Sequence, residues 1–486
     1  MIQKCREAKV FLLIALVCGL LLVFLIPPLN AADEAVHFAN AYAISRGDLF
    51  PDNVDNVIVG HYLPRSIWNY SAVYPGALWG NRDAKYSYSK MVAESMNTGP
   101  IGEPYLRGEG QVFTGYLAAA GGMVIGTALG KAFADTDMNA QPYNQMIYGR
   151  LGNLIFYILI TYLALCITPR FKRSMLLVAS MPMGLFLASS LSYDALIIPV
   201  SYLFIAIVLY MVSTGEKPIT KGEIVGILFC TFFLIGVKTA YAPLLLLLLA
   251  VPKRKYGSVR KMVFCIVAVV VTAVIGYIPV YINGRIGQNI PANPAISKMV
   301  QAQSEWINSH LGETIHAIFN SLKVQGEFYR ESFWGKLGWL DTPFPVPMMV
   351  IGYFMLAVTA ILEIMDWNPK EYGKFWKRLL PVVGVLISFV GMEYVMYLKH
   401  TPRPDVLNRI GTDYVEGVQG RYFIPLFLPL MIPFSNCLLY KLRNSKREKV
   451  RNHFTTIRKN MSFAAEGWAV MCGVYTVLIV LLRYWV

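Results

Sequence analysis

The stretch "VFTGYLAAAGGMVIGTALGKAF", residues 112–133, decides how the chain is threaded. A helical span needs roughly 20 apolar residues, and this segment has the length and apolarity for one, diluted by Gly and Ala. Read as a full span, it places Arg170, Lys172 and Arg173 outside. Read as an outer-surface or re-entrant helix, it leaves every later basic loop on one side, the pattern in which Lys and Arg mark the cytoplasmic face. The second reading predicts a first span at about 10–29, followed by a large outer loop at 30–146. Spans follow at about 147–168, 174–191, 194–213, 223–238, 240–252 and 262–283. A second outer loop covers 284–345, and spans at about 346–364, 379–398, 421–440 and 464–485 complete about eleven.

The composition agrees. The chain has 486 residues, 56% hydrophobic and 15% charged, so it is an all-α polytopic membrane protein and a single integral membrane domain over 1–486. A net charge of +15 would otherwise suggest a nucleic-acid partner. The basic residues lie instead in short connections: "PRFKR", "GEKPITKGE", "PKRKYGSVRK", "NPKEYGKFWKR" and "KLRNSKREKVRNHFTTIRKN" hold, with the N-terminal tail, about 25 Lys plus Arg. The charge reports topology, with the N-terminus cytoplasmic, and no nucleic acid is expected. The basic start and "NAA" also suit a signal peptide, but the apolar run exceeds the usual core of roughly 7–15 residues, so a retained anchor is preferred. All seven cysteines, Cys437 among them, fall in the tail or in apolar runs, which argues against an outer disulfide framework.

Ionisable residues beside spans are costly and mark function. Asp33 and Glu34 follow the first span in "IPPLNAADEAVHF", Asp194 opens a span in "SLSYDAL", and Lys238 closes one in "GVKTAYAP". Glu393 lies in the outer half of its span, and Arg421, flanked by Gln419 and Tyr422 in "GVQGRYFIPL", opens another. All are expected toward the outer face. Each also has a plainer reading: Asp as a helix cap, Lys238 as a snorkelling side chain, Arg421 as a surface anchor. Their convergence favours a site where an anionic headgroup meets a general base. Asp33 and His37 are four apart and share a helical face, which suits a shared metal, an oriented hydroxyl or a mutual hydrogen bond. In the second loop, Trp334, Trp339 and Asp341 suit sugar stacking and equally an interfacial aromatic belt.

Six blocks, "PPLNAADEAVHFANAYAISRGDLF", "YGRLGNLIFYILITYLAL", "SLSYDAL", "KTAYAPLLLLLLAVPKRK", "FWGKLGWLDTPFP" and "GVQGRYFIPL", resemble a bacterial family of multi-spanning membrane proteins of unassigned function that is grouped with the GT-C glycosyltransferases. The resemblance implies about ten to thirteen spans, juxtamembrane helices in the first outer loop, and a catalytic acid there, Asp33, with Glu34 beside it. Asp194 resembles the second acidic residue, which in some relatives helps bind a divalent cation, Mg²⁺ or Mn²⁺. The "KPPL" type of motif of better-known relatives is missing. The implied activity is inverting glycosyl transfer from a polyprenyl-phosphate sugar, such as an undecaprenyl one, to an extracytoplasmic acceptor such as a cell wall polysaccharide. Lys238, Arg421, Gln419 and Tyr422 would hold the donor phosphate, and His37, Trp334, Trp339 and Asp341 the acceptor. The rival expectation is a lipid-linked-sugar flippase or other transporter, favoured by inverted repeats or mid-membrane charges. Neither is visible in the sequence.

Overall fold

The computed structural model describes residues 5–54, 58–67, 70, 83–87, 105–108, 111–134, 142–286, 294–365, 375–434, 440 and 448–486. Among the described residues, eight helices are long and apolar enough to cross a membrane. Seven coincide with expected spans: α1 (Arg6–Leu25), α4 (Pro142–Ile167), α7 (Asp194–Ser213), α9 (Val259–Ile286), α13 (Val346–Met365), α14 (Phe375–Lys399) and α16 (Glu448–Tyr484). The eighth, Phe113–Ala132, is the segment whose charge context favoured a surface helix. It is a 3₁₀ turn, Phe113–Tyr116, running into α3 (Leu117–Ala134).

The four remaining expected spans are helical but short or broken. Residues 174–191 form α5 (Lys172–Ala179) and α6 (Pro182–Ala188), separated where Pro182 disfavours helix in the residue before it. Residues 223–238 form α8 (Lys221–Val237), opened by a reciprocal capping box between Thr220 and Glu223. Next comes a 3₁₀ helix, Thr239–Ala250, containing Pro243. At a rise of about 2.0 Å per residue such a helix covers more depth per residue than an α-helix at about 1.5 Å, though its twelve residues still fall short of the roughly 30 Å of a bilayer core. The last expected span is a 3₁₀ turn, Gly420–Phe423, then α15 (Ile424–Met431) and a final turn to Phe434. Residues 435–439, with Cys437, lie outside the described residues.

The first loop holds α2 (Glu34–Ser45) and, where only helices were expected, an antiparallel sheet of β1 (Asp52–Val54), β2 (Ile58–Leu63) and β3 (Tyr105–Gly108). The second holds α10 (Pro294–Ser309), α11 (Leu311–Val324), α12 (Gly326–Trp334) and a two-stranded hairpin, Lys336–Leu337 with Thr342–Pro343. α1 and α16 run parallel and in step. Arg6 pairs with Glu466 at 2.6 Å at one end, and Trp485 Nε1 donates to the Leu25 carbonyl at 2.7 Å at the other.

α3 lies along α4 with almost no gap. A Cβ on Gly122 would sit 2.2 Å from the Tyr148 carbonyl oxygen and 2.8 Å from Gly152 Cα, backbone atoms that cannot swing aside, whereas one on Gly121 would meet nothing within 4 Å. Gly122→Ala is therefore expected to destabilise the protein by about 1–3 kcal/mol, the usual cost of overpacking. Gly121→Ala should be neutral or slightly stabilising, since Ala has the higher helix propensity. Thermal melting of the two variants in detergent compares them directly, and equal melting points would mean that the helices separate freely.

Candidate functional site

The site begins with a broken helix end. α1 stops at Leu25, just before Pro27 and Pro28, because proline lacks the N–H that a continuing helix needs. Val23 thereby loses its helical donor, and past the helix end the Pro27 carbonyl, which accepts the Asn30 N–H at 3.2 Å, and the Ile26 carbonyl remain open to further donors. Arg150, in α4, supplies them. Its Nη1 donates to Val23 and Ile26 at 3.1 and 2.6 Å, its Nη2 to Pro27 at 3.0 Å, and its Nε and Nη2 to both Glu34 oxygens at 2.8 and 2.6 Å. All five guanidinium N–H groups are used, and both side chains are fully buried. Glu34 also accepts the backbone N–H groups of Ala31 and Leu191. A carboxylate so engaged is not free to take a proton from a substrate. Glu34, expected as an alternative base, is a structural strut joining α1, α2, α4 and the turn before α7.

Asp33 is the opposite case. It sits at the N-cap of α2 with φ 60°, in the left-handed region that Asp tolerates better than most residues. The expected alternative was a helix cap, but its carboxylate makes no capping hydrogen bond. The side chain is 57% exposed and lies 3.7 Å from Arg421 Nη2. Asp194, the first residue of α7, is buried, and its Oδ2 is 3.4 Å from Arg421 Nε. One guanidinium thus stands between two carboxylates. These distances exceed the roughly 2.7–2.9 Å of a charge-assisted hydrogen bond, so Arg421 is held by charge without being saturated.

Lys238 is placed by the break between α8 and the 3₁₀ helix that follows, where it adopts extended backbone. Its Nζ is 3.2 Å from the centre of the Tyr422 ring and 5.8 Å from those of Tyr193 and Tyr241, so three aromatic faces stabilise a buried ammonium. Thr114 ties the turn before α3 to the end of α8 by donating to the Gly236 carbonyl. That turn brings Tyr116 to His37, whose Nδ1 is 2.7 Å from the Tyr116 hydroxyl and whose ring meets Tyr193 edge-on at 5.2 Å. Burial first, then the nearby Arg421 charge, lowers the His37 pKa from 6.5 to about 3. The unfolded chain therefore binds the extra proton, and stability present above about pH 6.5 falls as pH drops toward about 3, by up to about 1.4 kcal/mol per unit. His37→Phe should flatten that acid slope in a melting-point series, and an unchanged slope would assign it to other groups.

Asp33, Asp194, Arg421, Lys238, Tyr422 and His37 therefore come together, with Gln419 two residues before Arg421. Among the described residues, Lys238 Nζ, Arg421 Nε and Gln419 Oε1 are buried without a hydrogen-bond partner. Buried polar atoms are rarely left so, and the first two, which both meet the Tyr422 ring, make this cluster the candidate site for a polar ligand. The second-loop residues are engaged in other contacts. Trp334 is 2% exposed, packed against Gly352 and Tyr353 inside the core, so it has no face to offer a sugar. Trp339 Nε1 donates to the Leu29 carbonyl at 3.0 Å, and Asp341 is 3.4 Å from Arg483. Arg150, Tyr116, Tyr193 and Tyr241 were not singled out in the sequence, although each tyrosine lies within three residues of a site residue or in the 112–133 stretch.

As for a divalent ion, the Arg421 guanidinium already stands where a cation bridging Asp33 and Asp194 would bind. Among the described residues no group of three or more His, Cys, Asp or Glu gathers.

A helical chain with eight candidate spans among its described residues and a cluster of charged side chains where spans end defines a polytopic membrane protein with a polar cluster at one end of its bundle. The family described as "Predicted membrane protein (DUF2142)" matches residues 16–431, from within α1 to the end of α15, and the chain belongs to it. No curated protein and no solved structure matches the chain.

Proposed function

We propose that the chain is a membrane glycosyltransferase of the GT-C kind, transferring a sugar from a polyprenyl-phosphate donor to a hydroxyl of a cell-envelope glycan. It would sit in a bacterial cytoplasmic membrane with its N-terminus inside and its site outside, the orientation the basic loops favour. The observation that carries the reading is one solvent-facing carboxylate, Asp33, beside a buried guanidinium whose Nε, and a buried ammonium whose Nζ, have no hydrogen-bond partner. That pairing suits a reaction in which one group accepts a proton while another gains negative charge.

In the proposed step Asp33 takes the acceptor O–H proton as the oxygen attacks the anomeric carbon. The bond from that carbon to the phosphate oxygen breaks, and polyprenyl phosphate leaves with the electron pair. Arg421 and Lys238 stabilise the charge it gains, in a water-poor site where such groups act most strongly. Asp194 holds Arg421 in position. Direct displacement inverts the anomeric centre. Tyr116 and neutral His37 are buried against each other beside the Arg421 charge, and no metal ion is given a role. A chelator should therefore leave turnover unchanged within about two-fold, a requirement for Mg²⁺ or Mn²⁺ meaning that Arg421 moves aside to admit the ion.

The reading is tested by supplying the purified protein with polyprenyl-phosphate sugars and following acceptor-dependent release of polyprenyl phosphate. Release supports transfer. No release, together with movement of labelled lipid-linked sugar across proteoliposomes, would instead establish a flippase.

A further inference from the structure

At the end of the bundle opposite the Asp33 cluster a polar cavity opens, of about 190 Å³, walled by Arg170, Lys172, Arg173 and Arg458 with Glu7 and Glu363. It is built where α4 ends, α5 begins and α13 finishes, against the part of α16 that continues past the start of α1. Glu363 is committed to the scaffold: its oxygens accept the backbone N–H groups of Arg173 and Ser174 at 2.9 and 3.0 Å and the Ser174 hydroxyl at 2.6 Å. Arg173 is committed too, with Nε 2.8 Å from Ser462 Oγ and 3.7 Å from Glu7. These contacts fix the walls, and the cavity keeps more cationic than anionic side chains.

Depth identifies the kind of ligand. From Glu7, in the cavity wall, α1 rises to Ile26, beside the Asp33 site, over about 28 Å at 1.5 Å per residue. That is close to the roughly 30 Å hydrocarbon thickness of a bilayer. With one site at a membrane surface, the cavity lies at the headgroup level of the other leaflet. Basic pockets between helices at that level suit phosphate-bearing headgroups, the guanidinium fork matching phosphate oxygens. We propose that this cavity binds a phosphate group, carried by the headgroup of an anionic lipid in that leaflet.

The test uses the full-length protein in detergent, with bound lipid read by native mass spectrometry. Dioleoyl phosphatidylglycerol is the probe, dioleoylglycerol the phosphate-free control, and inorganic phosphate the competitor. Wild type should retain the phospholipid and not the diacylglycerol. Lys172→Gln/Arg458→Gln should bind it at least about ten-fold more weakly, and Lys172→Gln alone should fall between. Displacement of the lipid by inorganic phosphate, with the same dependence on the two residues, supports the cavity with soluble phosphate as its natural occupant. Equal phospholipid binding by wild type and the double variant, both eluting as folded monodisperse protein, overturns the proposal.

Discussion

Asp33→Asn is expected to reduce polyprenyl-phosphate release by about 10²–10⁴-fold while leaving the protein folded, the range typical of losing a positioned general base. The substitution is unusually clean at this position. Asn tolerates the left-handed backbone as well as Asp does, the side chain is the same size, and no capping bond is lost. What disappears is the negative charge 3.7 Å from Arg421 and the oxygen able to take a proton. Asp194→Asn should behave differently. Its carboxylate is buried against Arg421, so its loss should loosen donor binding and lower stability together, raising KM more than it lowers kcat. If Asp33→Asn turned over like wild type, Asp33 would leave the mechanism and the base would have to be sought elsewhere.

Glu34→Gln is the second large effect, although the two acids are adjacent in sequence. Removing this charge leaves Arg150 buried and uncompensated. Breaking such a pair from one side typically costs about 3–5 kcal/mol, a large part of the 5–15 kcal/mol that holds an ordinary fold together. The variant should melt far below wild type in detergent or fail to accumulate. A double variant, Glu34→Gln/Arg150→Met, should recover only part of the loss. It removes the stranded charge but also the donors that serve the Val23, Ile26 and Pro27 carbonyls. Full recovery would mean that those carbonyls find other donors.

The contrast shows what a sequence of this kind conveys. Asp33, Asp194, Lys238 and Arg421 were legible because charge is rare at the ends of apolar runs, and its cost makes it conspicuous. Glu34 has the same signature, and only the geometry separates strut from reactive group. Arg150 lies inside an apolar helix and gave no sign that it would serve a helix end far earlier in the chain. The site tyrosines were hidden by abundance, since aromatic residues also populate membrane interfaces for unrelated reasons. Trp334 was misplaced for that reason, its neighbour across the core being Gly352, which has no side chain to signal the contact. The long helices were readable from length and apolarity alone. The broken or 3₁₀ segments were found as apolar runs, but their conformation depends on Pro182 and Pro243 and on packing.

The order in which the site's parts leave the ribosome has a consequence for biogenesis. Asp33 and Glu34 emerge with the first helix, Arg150 follows, Asp194 and Lys238 come midway, and Arg421 arrives only near the end of the chain. Until then Asp194 has Lys238 as its nearby cation but lacks Arg421, whereas Glu34 meets Arg150 early. A nascent chain stalled before Gly420 would hold a finished strut and an unfinished polar cluster.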